Sequence, residues 1–179
     1  MTLSEQQIER WARQIILPEV GGRGQARLLG ASAAVAGSGG AAHFARELLE
    51  RAGLRTDGDA PADVVMDFSG DRAAIAVRGR RAREAGRPFV VVLAGDAAAD
   101  VLTLVGRPCV DCASFAAGSG EPPAPLALAL GALAAGEALR VVLAPPASGR
   151  VQTLHLGTGD LTSRALDGPR CAACGASAS

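Results

Sequence analysis

Four cysteines form two pairs whose spacing is typical of a metal site. Cys109 and Cys112 form one C-x-x-C pair, and Cys171 and Cys174 form a second one near the end of the chain. Each two-residue spacer can aim two thiolates at one point, and four thiolates suit a tetrahedral Zn²⁺ ion. Because no histidine or carboxylate replaces a thiolate, we expect a structural zinc site without an open catalytic position. An iron–sulfur cluster or a pair of redox dithiols is the alternative.

A glycine-rich turn is the second feature that could bind a ligand. Gly37, Gly39 and Ala42 match the pattern G-x-G-x-x-G/A, and Gly40 lies within it. The first glycine permits a tight turn, the second lets the backbone approach a pyrophosphate, and the third small residue lets a helix pack on a strand. The first N–H groups of the following helix would face the anion. A purely structural turn between strand and helix fits the same residues.

An acid and two histidines are the remaining candidates for chemistry. Asp57 follows Gly37 by about 20 residues, which is where a dinucleotide-binding fold places the acid that bonds a ribose hydroxyl. A polar turn is the alternative for Asp57, because an Asp-Gly pair favours turns. His43 and His155 are the only histidines, and neither has an evident serine and acid partner. We therefore do not expect a hydrolytic triad.

The elements that position these residues follow from apolar spacing and turn residues. Helices are predicted over 5–16, 25–29, 41–52, 72–85 and 126–143, and strands over 32–37, 62–68, 88–94, 101–105, 151–156 and 161–166. Gly21, Gly22 and Gly24 are expected in a loop. Alternation of apolar strands with helices indicates a parallel sheet. The predicted fold is α/β, with an N-terminal helical arm (1–30) and a domain (31–179) that has a shortened, mostly parallel Rossmann-like sheet and ends in a zinc-bound hairpin region.

The composition narrows the class of protein. The chain has 179 residues with zero net charge, 49% hydrophobic and 3% aromatic residues, so it offers neither a basic patch nor stacking platforms for nucleic acid. All 18 basic residues are arginine, and the arginines of 78–83 are expected on a solvated helix face. Segment 126–143 contains Glu137 and Arg140 and is predicted to be too short and too polar to span a membrane. No signal peptide is evident, so we expect a cytoplasmic protein without a membrane partner.

The N-terminal segment carries a recognisable motif. Residues 9–29 read E-R-W-A-R-Q-I-I-L-P-E-V-G-G-x-G-Q-x-x-L-L, and the glycine turn, strand 63–67 and the cysteine pairs follow. Together they resemble the ThiF/MoeB/HesA family, the prokaryotic relatives of ubiquitin-activating enzymes. The resemblance implies adenylation, with ATP and Mg²⁺, of the C-terminal glycine of a ubiquitin-like sulfur carrier or peptide. It also implies zinc at the four cysteines and a dimer in which Arg13 reaches the partner's nucleotide; a surface arginine is the alternative.

The sequence departs from that family where the chemistry is carried out. Three residues join Asp59 to Asp63, where the family has a long segment with a Ser-Asn-x-Asn-Arg-Gln motif and a lysine. Gly70 stands where the family has the acid tied to metal and nucleotide, and the chain contains neither asparagine nor lysine. Each group that offsets charge in the transition state typically contributes on the order of several kcal/mol. We therefore predict weak or no adenylation.

The function most consistent with these features is that of a degenerate family member that serves as a binding or regulatory partner. It would form a homodimer, or a heterodimer with an intact relative whose site Arg13 could complete. One alternative is a working ATP-dependent adenylyltransferase for a ubiquitin-like sulfur-carrier protein, with Arg55 or Arg72 supplying the missing charge. Another is a nucleotide-binding sensor that uses residues 37–42 and Asp57. The sequence leaves open whether the protein is an enzyme.

Overall fold

The computed structural model describes residues 2–56, 61–106, 108–113 and 122–166. Within these ranges the helices are α1 (Glu5–Arg10), α2 (Ala12–Ile15), α3 (Gly21–Gly30), α4 (Gly40–Ala52), α5 (Arg72–Glu84) and α6 (Ala124–Leu143). The strands are β1 (Ala33–Ala36), β2 (Val64–Asp67), β3 (Phe89–Ala94), β4 (Ala98–Leu104), β5 (Arg150–His155) and β6 (Leu161–Ala165). The predicted elements are therefore present, with boundaries shifted by a few residues.

The six strands form one sheet in the order β1-β2-β3-β4-β5-β6. The pairs β1–β2 and β2–β3 are parallel, whereas β3–β4, β4–β5 and β5–β6 are antiparallel. The α/β class is confirmed, but the parallel part is shorter than the prediction of a mostly parallel sheet implied. The physical reason lies in the connections: β3–β4 and β5–β6 are joined by short turns, which can only join antiparallel strands.

The edge of the sheet beside β1 is also short. Ser32 makes a single parallel bridge with Arg55, and residues 57–60 lie outside the described part of the chain. In place of a full neighbouring strand, this bridge provides two backbone hydrogen bonds, from Ala33 N to Arg55 O (2.8 Å) and from Arg55 N to Ala31 O (3.2 Å). The sheet therefore ends early at the edge beside β1, in agreement with the shortened Rossmann-like sheet that the sequence predicted.

Helices cover both faces of the sheet. One face packs against α3, α4 and α6 through residues such as Leu49 and Leu130, and the other packs against α5 through Ile75 and Phe89. Close contact between α4 and α6 needs a glycine, because a Cβ on Gly131 would lie 2.7 Å from the carbonyl oxygen of Ala41. The small residues predicted on one side of α6 therefore serve its packing against α4.

The length and composition of α6 contradict the expectation that this segment is too short and too polar to span a membrane. The helix has 20 residues, and an 18-residue window within it has a mean hydropathy of 1.8, so by length and composition it could cross a membrane. The core helix of a soluble domain passes the same test. In this fold α6 lies in the apolar cluster between α4 and the sheet, and Leu130, Ala134 and Ala138 are fully buried.

The N-terminal arm is attached to the C-terminal end of α4. Trp11 donates its indole N–H to Arg51 O (3.0 Å), and Gln25 donates its amide to Ala52 O (2.9 Å). These carbonyls belong to the last turn of α4, which lacks helical donors. Gly53 ends this helix in the left-handed conformation, with φ +98°, as the sequence predicted. Trp11 also separates α1 from α2, so the predicted helix 5–16 is in two parts.

The expectation of a loop at Gly21, Gly22 and Gly24 is wrong, because all three lie in α3. Close packing explains at least one of them. A Cβ on Gly24 would lie 2.9 Å from Leu143 Cδ2, so this helix approaches the end of α6 more closely than a larger residue would allow. The local preference of glycine for loops is overridden by this tertiary contact.

A buried carboxylate ties α6 to the antiparallel strands. Glu137 on α6 accepts hydrogen bonds from Thr103 Oγ1 on β4 (2.5 Å), Arg140 Nη2 (2.8 Å) and Arg150 Nε on β5 (2.9 Å). Burial opposes ionisation of Glu137, but the hydrogen bonds from Arg150, Arg140 and Thr103 outweigh burial and hold its pKa below the ordinary value. This network fixes the position of α6 over the sheet.

Candidate functional site

The residues of the predicted glycine turn line a cavity of about 340 Å³, here called the glycine cavity. It lies at the carboxyl ends of β1, β2 and β3, which is where open α/β sheets bind ligands. Gly37, Gly39, Gly40 and Ala42 all line it, together with Phe68, Ser69, Gly70, Leu130 and others. The structure thus brings together four of the six predicted nucleotide-binding residues.

The shape of the turn depends on glycine at its first position. Gly37 has a φ of +105°, and a Cβ there would lie 3.0 Å from the carbonyl carbon of Phe68. Gly39 is extended and precedes the first residue of α4, so the N-terminal end of α4 borders the glycine cavity. Ala42 is fully buried in the contact of α4 with the sheet. The tight turn expected at Gly37 is therefore present, whereas the contact of Gly39 with a pyrophosphate stays a prediction.

An arginine that the sequence did not single out supports this turn. Arg46 on α4 donates from Nη2 to Val35 O (2.7 Å) and to Gly37 O (3.0 Å). Ala36 O accepts from Phe68 N on the β2 side, so Val35 O faces the other, shortened edge of the sheet, because carbonyls alternate along a strand. Arg46 therefore satisfies backbone groups that a neighbouring strand would otherwise pair.

Two carboxylates flank residues 68–70 of the glycine cavity, one at the end of β2 and one after it, and both already have partners. Asp67 is fully buried, and it accepts hydrogen bonds from Arg78 Nη1 (2.5 Å) and Ser69 Oγ (2.6 Å). Asp71 caps α5, because its Oδ1 accepts from Ala73 N (2.9 Å). Gly70, which stands where a metal-binding acid was expected, has a φ of +67°. Arg78 was predicted to lie on a solvated helix face, but it pairs with the buried Asp67.

None of the described residues that line the glycine cavity carries a charged side chain. Arg55 and Arg72, the alternative sources of positive charge, are absent from that lining. Arg13 lies in α2, is exposed, and does not line the cavity either. Asp57 lies outside the described residues, so its predicted contact with a ribose stays a prediction. A ligand at this site would meet backbone N–H groups and uncharged side chains of the described chain.

The first cysteine pair has a geometry that suits a metal. Cys109 Sγ and Cys112 Sγ are 3.7 Å apart, and the edge of a tetrahedron with zinc–sulfur bonds of about 2.3 Å is about 3.8 Å. A turn holds them, because Cys112 N donates to Cys109 O (3.0 Å). The turn is fixed to α5, since Asp111 pairs with Arg80 at 3.1 Å.

The second pair, Cys171 and Cys174, lies outside the described residues. Within the described ranges, no group of three or more histidine, cysteine, aspartate or glutamate side chains could hold a metal ion. The zinc-bound hairpin region is therefore not shown, and the four-thiolate site stays a prediction. The hairpin itself is present as β5 and β6.

Comparisons with known proteins give matches in structure but not in sequence. No family model and no curated protein matches the chain. MccB of E. coli, solved with ATP, superposes with a TM-score of 0.72 at 14% identity, and the match covers 93% of this chain and 75% of MccB. PaaA gives 0.69 at 13% identity, with 92% and 75% covered.

A heterocyclase solved with substrate and cofactor gives a TM-score of 0.69 at 17% identity. The match covers 97% of this chain but 28% of the heterocyclase. Identities this low establish the fold alone. The chain therefore has the ThiF/MoeB-like fold that MccB, PaaA and the heterocyclase share, in agreement with the resemblance of its N-terminal motif.

Proposed function

We propose that this chain is a degenerate protein of ThiF/MoeB/HesA type, which binds a partner and adenylates it weakly or not at all. One observation carries the proposal: the glycine cavity keeps its phosphate-type turn, but its described lining has no charged side chain. Adenylyl transfer needs cations or metal to offset charge on the triphosphate. The two nearby acids already accept hydrogen bonds from Arg78 and from the N-terminus of α5, so a metal ion would compete with these contacts.

An adenine nucleotide is the ligand to test at the glycine cavity. MccB has been solved with ATP, and a cavity of about 340 Å³ is at the small end of the range for small-molecule sites, which is about 300–1,000 Å³. Backbone N–H groups at the start of α4 can bind an anion without side-chain charge. We therefore expect binding that does not depend strongly on Mg²⁺.

The partner is proposed to be another protein. The related structures include MccB with MccA and a heterocyclase with its substrate. For this chain, a ubiquitin-like carrier protein or an intact relative is the candidate, and a homodimer or heterodimer would bring Arg13 to a partner's site. The arm exposes apolar side chains that such a contact could cover, since Ile8 is 48% and Ile16 is 77% exposed.

Zinc is proposed to hold the C-terminal end of the chain. Cys109 and Cys112 have a sulfur separation that fits a tetrahedral ion, and Cys171 and Cys174 supply the remaining thiolates. The ion would contribute folding free energy rather than chemistry, on the order of 10 kcal/mol for a structural site. Metal analysis of the purified protein should find one zinc per chain, and Cys109→Ser should lose it.

The central experiment measures ATP–pyrophosphate exchange and calorimetric binding of ATP with and without Mg²⁺. We expect measurable ATP binding and no exchange above a protein-free blank. Gly39→Asp is the matched control: aspartate is favoured at an N-cap, so the variant should fold, and its carboxylate should repel the phosphates and abolish binding.

Robust exchange by the wild-type protein that Gly39→Asp abolishes would contradict the proposal and identify a working adenylyltransferase. The second alternative, a sensor, predicts a preference among ligands. Thermal shifts with ATP, AMP, NAD and FAD should be compared, and a shift with NAD or FAD alone would favour the sensor.

A further inference from the structure

A second cavity, here called the arginine cavity, lies at the opposite end of the parallel strands from the glycine cavity. Its volume is about 710 Å³, within the range of about 300–1,000 Å³ that small-molecule sites occupy. Ala31, Val64 and Pro88, which stand at or just before the starts of β1, β2 and β3, line it. Residues from the C-terminal parts of α3, α5 and α6 complete the wall. The motif of the glycine turn has no part in it.

Three arginines and one acid line the arginine cavity: Arg27, Arg83, Arg87 and Asp63. Two of the arginines have partners. Arg27 donates to Leu143 O (2.7 Å), and Arg87 pairs with Asp63 (3.1 Å). The other oxygen of Asp63 accepts from Ser32 N (3.0 Å). Since three cations face one carboxylate, the described lining has an excess of positive charge.

Arg83 is the exception, because its side chain forms no hydrogen bond or ion pair with a described residue. Its Nε is buried and has no hydrogen-bond partner, although the side chain as a whole is partly exposed. Buried donors without a partner are rare in folded proteins and unfavourable for stability. The part of the Arg83 guanidinium that lines the cavity can donate to an incoming carboxylate.

The rest of the arginine cavity is apolar. Val105, Val141, Val142 and Pro145 line it in addition to Val64 and Pro88. A small, strongly hydrated dianion would leave this apolar wall uncovered, whereas a monoanion with an apolar body would bury that body against the valines. The cavity therefore combines one unpartnered cation with an apolar surface.

We propose that the arginine cavity binds a carboxylate attached to an apolar body, with the carboxylate paired to Arg83. A medium-chain fatty acid and the C-terminal residue of a peptide share this chemistry. The site is built from α3, α5, α6 and the starts of the parallel strands, so it does not depend on nucleotide binding at the glycine cavity. Either proposal can fail without the other.

The test is calorimetric titration and thermal shift with octanoate, with octanamide as the uncharged control. Octanoate is expected to bind and raise the melting temperature, and octanamide is expected to bind far less. Arg83→Met should weaken octanoate binding about 10- to 100-fold, as expected for loss of hydrogen bonds to a charged group. Arg83→Lys should keep part of the affinity, because lysine retains the charge but not the planar fork.

Arg81→Met is the matched control, because Arg81 is exposed on the same helix and does not line the arginine cavity. It should leave octanoate binding unchanged. Gly30→Phe is a steric control: a Cβ at Gly30 meets no heavy atom within 4 Å, so the variant should fold while its ring occupies part of the cavity. It should reduce octanoate binding without changing any charge.

The source of the carboxylate is decided by a second titration with the peptide acetyl-Ala-Val-Leu, as the free acid and as the amide. Binding of the free acid but not the amide supports a peptide terminus, and binding of octanoate alone supports a fatty acid. The proposal is overturned if neither octanoate nor the free-acid peptide binds. It is also overturned if octanoate binds equally well to wild type and Arg83→Met.

Discussion

The two cavities at opposite ends of the parallel strands differ in what they offer a ligand. The glycine cavity has a tight backbone turn and a helix N-terminus, but no charged side chain among the described residues that line it. The arginine cavity has no such turn, but Arg27, Arg83 and Arg87 line it. The backbone turn that could bind an anion is therefore at one end of the strands, in the glycine cavity. The charged side chains that could bind an anion are at the other end, in the arginine cavity.

This difference shows how a fold can keep a binding motif without the chemistry associated with it. Gly37 is required by its positive φ and by close packing against Phe68, whether or not a nucleotide binds. A glycine turn alone is therefore weaker support for a catalytic role than charged side chains beside it would be.

The largest effect on stability is expected from Glu137→Gln. This variant tests whether helix α6 supports both cavities. Leu130 of α6 lines the glycine cavity, Val141 lines the arginine cavity, and Glu137 lies between them. Removing the charge leaves Arg140 and Arg150 without their acid. Because both arginines are partly exposed, we expect a loss of about 2–3 kcal/mol at neutral pH, less than for a fully buried pair.

The pH dependence of this loss has a definite sign. The pKa of Glu137 is lower in the folded protein than its ordinary value of 4.5, so its stabilisation is complete above that pH. It is lost as the pH falls through the folded-state pKa. Denaturant unfolding of wild type and variant at pH 7 and at decreasing pH below 4.5 should therefore converge, and a constant difference would contradict this assignment.

A comparable effect is expected at one of two positive-φ glycines, Gly37 from the glycine cavity and Gly86 from the arginine cavity. Gly37→Ala adds a Cβ at 3.0 Å from Phe68, whereas Gly86→Ala, with φ +65°, adds one with no neighbour within 4 Å. Both variants should show strain of about 1 kcal/mol, and Gly37→Ala should show overlap in addition, for a total of about 2–3 kcal/mol. Melting temperatures should separate the variants by a few degrees, and equal losses would refute the proposed close packing.

Arg46→Met should have a more modest effect. It removes two hydrogen bonds from a charged donor to Val35 O and Gly37 O, and we expect a loss of about 1–2 kcal/mol. Because these carbonyls belong to β1 and the glycine turn, amide exchange should increase there more than in β3. Uniform exchange throughout the sheet would show that Arg46 does not support this edge.

The smallest effect is expected from Arg83→Met without ligand. Since the side chain of Arg83 has no described partner and its Nε is buried without one, removing the donor should leave stability unchanged or raise it by up to about 1 kcal/mol. Urea unfolding of Arg46→Met and Arg83→Met side by side measures the contrast. A loss for Arg83→Met as large as that for Arg46→Met would show that Arg83 has a structural role.

Much of the fold was predictable because local signals agree with the tertiary structure. Apolar spacing predicted α4, α5, α6 and the strands to within a few residues, and Gly53 ends α4 as expected. The failures occur where a distant contact overrides a local preference. Gly24 lies in α3, where it packs against Leu143, and β4 is antiparallel to both β3 and β5, a direction that periodicity does not specify.

The candidate site was predictable in its backbone but not in its charges. The glycine pattern correctly predicted a turn at the carboxyl ends of the parallel strands. It did not predict that Arg78 would pair with Asp67, that Asp71 would cap α5, or that Arg46 would bond the turn. Those contacts join residues from different elements, and no short spacing in the sequence records them.

The amino-acid sequence alone determined the order of helices and strands, the glycine turn, and the absence of lysine and asparagine from the whole chain. These depend on residue type and on neighbours along the chain. Only the tertiary structure decided which arginine bonds backbone, which pairs with a buried acid, and which has no described partner. Arg46, Arg78 and Arg83 are chemically identical, and their different environments arise from where the packed helices place them.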